Sequence, residues 1–106
     1  MRSMGIFLNV RTLLLQALVR GEGYGLELAG RVEEMAHHRI GPGRLYPELR
    51  AMEGDGLVTS WEGAPSKERG GRPRVYYRLT AEGRRAAADE RRTSLSVFGL
   101  TPELGR

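Results

Sequence analysis

Apolar residues follow helical spacing in the first half of the chain and then switch to alternation. Residues 8–20 carry Leu8, Leu13, Leu14, Leu15, Ala17, Leu18 and Val19 with no Gly or Pro among them. That density predicts a buried helix. Its apolar side chains fall on more than one face, which suits a helix serving both a core and a second surface. Gly21 and Gly23 end it. Residues 24–36 predict a second helix, in which Leu28, Val32 and Met35 fall at i, i+4 and i+7 with Leu26 and Ala29 beside them. The acids take the opposite face. His37, His38, Arg39, Ile40 and Gly41 form a turn, and Pro42 suits the first position of a third helix, where its missing N–H is not needed. Leu45, Leu49 and Met52 repeat the same stripe, and Gly54 and Gly56 flank Asp55 to stop the helix. Pro47 removes a backbone bond near the second turn and predicts a tight or bent start.

Beyond Gly56 the period shortens. Leu57 to Trp61 reads as a short strand, and residues 62–73, with three Gly and two Pro, read as a loop. Residues 74–79 return as a strand. Val75, Tyr77 and Leu79 share one face; Tyr76 and Arg78 share the other. Thr80 then caps a fourth helix with Glu82 in its first turn, where the helix dipole favours an acid. This helix runs to about Phe98 on a thin stripe of Ala88, Leu95 and Phe98, and Gly99 and Pro102 close it. The tail 99–106 is expected to be loosely ordered. The order is helix, helix, turn, helix, hairpin, helix. It predicts a mostly α fold with a small β-hairpin: a winged helix-turn-helix over residues 1–80, and a C-terminal dimerisation helix and tail over 81–106.

Length and charge narrow the picture. A chain of 106 residues is one domain with a modest core, so its stability is expected to lean on an oligomer. The absence of Cys excludes disulfides and thiolate metal or redox chemistry. No apolar run approaches the ~18 residues of a membrane span, and no cleavage site for a signal peptide follows the N-terminus, so a cytoplasmic protein is expected. The net charge is +4. It is unevenly spread: residues 22–36 hold four Glu against one Arg, whereas residues 61–85 hold seven basic side chains against three acids. The excess lies where a loop and strand would present it to a polyanion.

Several side chains become candidates for that contact. A helix-turn-helix puts the start of its second helix in the major groove, which here nominates Pro42, Gly43, Arg44, Tyr46, Pro47 and Arg50. Arg44 can reach guanine O6 and N7 or remain a solvated cation; Tyr46 can offer its hydroxyl to a phosphate or pack at the core edge. Tyr24 opens the second helix, either at a phosphate or as an apolar cap on the first helix. Lys67, Arg69, Arg72 and Arg74 line the hairpin tip and suit a minor groove or its phosphates. Trp61, Tyr76 and Tyr77 read as sheet packing. Adjacent His37 and His38 point apart and suit a surface turn rather than zinc. No metal site or cofactor is expected. Leu8, Val10, Leu95, Val97 and Phe98 at the two chain ends are candidate dimer contacts; the alternative is that the first and fourth helices close one monomer core.

Five segments carry a resemblance to a known family. They are Leu13 to Leu18, Gly23 to Leu28, Ile40 to Leu49, Glu53 to Val58 and Gly71 to Gly83. The Leu45-Tyr46-Pro47 run and the run from Gly71-Arg72-Pro73 to Tyr76-Tyr77 are the most specific. In their order and spacing the chain resembles the PadR-like transcriptional regulators, in particular the short subgroup with one C-terminal helix. The resemblance implies a homodimeric repressor that binds a palindromic double-stranded DNA operator and is released by a small-molecule inducer. Gly41 stands where the family often has Ser, and Arg44 where a small hydroxyl residue is common, which sets a long cation toward DNA. Two other functions compete: a protein-interaction module that docks an acidic partner, and an RNA-binding winged helix. An enzyme is least expected, since no Cys, separated His pair, phosphate-binding Gly loop or apolar carboxylate pair is present.

Overall fold

The computed structural model describes residues 9–65 and 67–97. Helix α1 spans Val10–Val19, and Asn9 caps it by accepting the Thr12 N–H at 2.7 Å. A two-residue strand β1, Gly23–Tyr24, leads into α2, Gly25–Ala36. Helix α3 runs Pro42–Gly54. Strands β2, Val58–Pro65, and β3, Pro73–Leu79, flank a single turn of 3-10 helix at Lys67–Arg69, and α4 spans Ala81–Val97. The sheet is antiparallel, in the order β1-β3-β2.

The helical stripes land where their spacing puts them. Leu28, Val32, Leu45, Leu49 and Met52 are fully buried and meet Leu13, Leu14, Leu15 and Leu18 of α1 in one core. Tyr77, Leu79 and Val58 seal it from the sheet side. Burying a Leu side chain of this kind contributes about 1.5–3 kcal/mol. Leu26 leaves the α2 stripe and is 55% exposed. Helix α3 continues through Pro47 without a break.

Three expectations are corrected. The hairpin is a three-stranded sheet, because Gly23–Tyr24 pairs with Tyr76 and Tyr77 of β3; two residues are too few to register as alternation. The loop expected over 62–73 is shorter, since β2 continues past Trp61 to Pro65 with a bulge between Glu62 and Pro65. Gly63 reads as loop chemistry, yet a Cβ there would come within 2.6 Å of the Tyr76 ring, so the glycine makes room for cross-strand packing. Pro65 is tolerated because β2 is an edge strand. Finally, the fourth helix buries Ala87 rather than the Ala88 of the expected stripe.

Helix α4 is fixed at its start. The Thr80 hydroxyl accepts the Gly83 N–H at 3.0 Å and donates to the Gly56 carbonyl at 2.5 Å. It then lies on α1 of the same chain, where Gln16 Nε2 donates to the Ala87 carbonyl at 2.8 Å. Val10 is 6% exposed and belongs to this core. The first and fourth helices thus close one monomer, which removes Val10 from the surface available to a partner. Leu95 is half-buried, Val97 ends α4, and Leu8 and Phe98 lie outside the described residues.

Candidate nucleic-acid interface

The turn between α2 and α3 is tight because His37 takes a left-handed conformation, φ 52°, and ends α2 with its N–H on the Glu33 carbonyl. This geometry usually selects Gly or Asn. It lets the chain reverse within a few residues and bring Ile40 into the core. Pro42 occupies the first turn of α3, and Gly41 caps it without a side chain. The buried stripe on Leu45, Leu49 and Met52 then dictates what faces outward. Pro42, Gly43, Arg44, Pro47 and Arg50 are all exposed. Arg44 therefore starts the helix as an unburied cation on its solvent side.

Tyr46 behaves differently. Its ring packs over Gly25, where a Cβ would lie only 2.5 Å away, and it borders the core. The edge-packing reading of Tyr46 describes its ring. Tyr24, Tyr46 and Arg74, drawn from three separate elements, line one hollow of about 220 Å³ with Leu26, Pro73 and Val75. Val75 is 38% exposed because it sits beyond the core edge, although it shares a face with Tyr77 and Leu79. Tyr24 is the N-cap residue of α2, and the Glu27 carboxylate accepts its backbone N–H at 3.3 Å. The Arg74 guanidinium lies 4.3 Å from the Tyr24 ring centroid. At the hairpin tip, Lys67 and Arg72 are exposed, Arg69 ends the 3-10 turn, and Gly70 and Gly71 take positive φ of 67° and 85°.

Two arginines outside the candidate set hold the frame. Arg31 reaches back to the Ala17, Gly21 and Glu22 carbonyls at 3.2, 2.6 and 3.0 Å, satisfying the end of α1. Arg11 on α1 donates to Glu48 at 2.5 Å and to Asp55 at 2.8 Å, pinning both the middle and the end of α3. These carboxylates hold the Arg11 pKa above its ordinary value. The partners lie 37 and 44 positions downstream, so no local pattern announces them. Arg78 is the third omission; its guanidinium sits 5.3 Å from the Trp61 ring centroid.

A second hollow of about 260 Å³ opens between α1, the end of α2 and α4, bordered by Leu13, Met35, Ala36, Glu90 and Ser94. Glu90 Oε1 is buried there without a hydrogen-bond partner. Burial pushes the Glu90 carboxyl above its ordinary value, while Thr12 and Arg11 oppose the shift. Among the described residues, no cluster of His, Asp or Glu suits a metal, and no helix is long and apolar enough to cross a membrane. His37 is exposed and His38 half-buried in the turn.

Comparison with known proteins agrees with this architecture. The sequence model of the transcriptional regulator PadR-like family matches residues 14–89. Transcriptional regulator Rv3488 of Mycobacterium tuberculosis is 36% identical over 85 residues, covering 78% of this chain and 73% of that protein. A PadR family transcription regulator from Clostridium difficile superposes with a TM-score of 0.68 at 26% identity, covering 84% of this chain and 88% of the other. Bacillus subtilis PadR, solved in complex with operator DNA, shares the fold with a TM-score of 0.66 at 21% identity, over 76% of this chain and 44% of that one. With residues 14–89 matched in sequence and the fold shared, the chain belongs to the PadR-like family of transcriptional regulators.

Proposed function

We propose that two copies of this chain bind a palindromic operator in double-stranded DNA, each inserting the start of α3 into the major groove and laying its wing along the neighbouring backbone. One observation carries the reading: the buried stripe of α3 turns Pro42, Gly43, Arg44, Pro47 and Arg50 outward together. Arg44 is the base reader, with a discrimination of ~1–3 kcal/mol for a bidentate contact to guanine. Lys67, Arg69, Arg72 and Arg74 meet phosphates, and Arg50, Tyr24 and Tyr46 support that surface. Bacillus subtilis PadR, which shares the fold, was solved in complex with operator DNA, and that supports an operator as the partner.

The chain acts in the cytoplasm as a repressor, by binding and without catalysis. Residues 1–80 form the DNA-binding unit, and the region from 81 onward supplies dimerisation. Because α1 and α4 pack on each other within one chain, the dimer contacts come from the remaining apolar residues at the two chain ends, Leu8, Leu95, Val97 and Phe98. A small-molecule inducer enters the hollow between α1 and α4 and releases the DNA. Analytical ultracentrifugation at micromolar concentration tests the dimer, and a monomer there refutes it.

Fluorescence anisotropy with a duplex from upstream of its own gene tests the DNA reading. Three or four phosphate contacts per subunit give a slope of about −5 to −7 in log K against log salt. Arg44→Ala relaxes base choice, whereas Arg72→Ala weakens binding to every duplex. Equal, feeble affinity for that duplex and for a random one overturns the proposal.

A further inference from the structure

Five side chains form an unbroken row across the outer face of the sheet. Tyr76 on β3 is paired in register with Tyr24 on β1 and with Trp61 on β2. The Trp61 and Tyr76 rings stack with centroids 5.8 Å apart at 18°, and Tyr24 meets Tyr76 edge-on at 5.7 Å and 81°. Arg74 covers Tyr24 at one end, at 4.3 Å, and Arg78 covers Trp61 at the other, at 5.3 Å. The row therefore reads cation, ring, ring, ring, cation. Gly63 leaves room for it, since any side chain there would strike the central Tyr76 ring.

The Arg74 end differs from an ordinary surface arginine. Its Nε is buried and makes no hydrogen bond. The guanidinium carbon rests over the Tyr24 ring, and that ring meets Tyr76 edge-on. A long cation held this way loses less freedom when it meets an anion than one sweeping through solvent.

We propose that Tyr24 is a positioning residue of the DNA interface: its ring, rather than its hydroxyl, holds Arg74 in the orientation that meets a phosphate. This rests on the proposed DNA reading. It gives Tyr24 a role through Arg74 instead of a phosphate contact of its own, and it makes Tyr76 and Trp61 the support behind that role.

The experiment is a mutant cycle read by anisotropy on the duplex from upstream of its own gene and on a mixed-sequence duplex, with thermal melts run in parallel. Tyr24→Phe keeps the ring and stays within about twofold of the unsubstituted chain. Tyr24→Leu weakens both duplexes about three- to tenfold, the span of one guanidinium–ring contact. The double variant Arg74→Ala/Tyr24→Leu binds no more weakly than Arg74→Ala alone. Should Tyr24→Leu fail to fold, stepwise fluorination of a phenylalanine at position 24 preserves the shape while draining the ring's negative face, and affinity falls with each step. Tyr24→Phe as weak as Tyr24→Leu, additive losses in the double variant, or indifference to fluorination each overturn the inference. If the unsubstituted chain binds neither duplex, the DNA reading itself fails; if it binds both but ignores every change at position 24, this inference alone fails.

Discussion

Helix α3 and the wing both carry arginines, but on different supports. Beneath Arg44 and Arg50 lie Leu45, Leu49 and Met52, fully buried in the common core. Beneath Arg74 and Arg78 lie Tyr24, Tyr76 and Trp61, half-buried on an outer sheet face. The helix is held by the interior that holds the whole fold. The wing is held by ring contacts worth ~0.5–1.5 kcal/mol each. Damage under the helix should therefore appear as lost stability, and damage under the wing as lost aim with the fold intact.

The largest effect expected from this contrast is at the helix. Leu49→Ala leaves a cavity against α1 and should cost about 2–5 kcal/mol, read as a lowered urea midpoint at unchanged slope. DNA affinity should then fall only as far as the unfolded fraction rises. Gly63→Ala attacks the other support. Its new methyl displaces the Tyr76 ring, and the expected stability change is below about 1 kcal/mol, because a strand glycine is itself unfavourable and its replacement offsets part of the clash. Affinity for any duplex should nevertheless drop severalfold. A Gly63→Ala protein that melts early and binds normally once folded would break the comparison. Arg11→Ala sharpens it at the smallest scale. Removing a partly exposed link between α1 and α3 should cost about 0.5–1 kcal/mol, more at low salt than at high. It also leaves Glu48 uncompensated on the helix proposed to enter the groove, so operator affinity should fall slightly more than stability alone explains.

The helices were legible because burial repeats every three to four residues and each stripe is local. Leu28 and Val32, and likewise Leu45, Leu49 and Met52, needed no tertiary information. The strand β1 was not legible, because its pairing is decided by Tyr76 and Tyr77 more than fifty positions away. Gly63 and Pro65 misled for a related reason: residues typical of loops are also used at an edge strand that passes beneath a ring. Within the candidate site, the outward set on α3 followed directly from the inward one. The Arg11 link and the Trp61–Tyr76–Tyr24 row did not, since both join elements distant in sequence. Trp61 and Tyr76 were read as sheet packing, which they are, but the place of Tyr24 beside them across three strands, and the arginine at each end, exist only once the strands are paired.

The sheet has two outer margins, and neither invites another chain to extend it. On one side, β1 offers only Gly23 and Tyr24. On the other, β2 is bulged and ends at Pro65, which has no N–H to donate. Short, kinked and donor-poor margins are how small open sheets resist joining edge to edge into fibres. Gly63 and Pro65 thus shape a margin with which another strand would pair poorly.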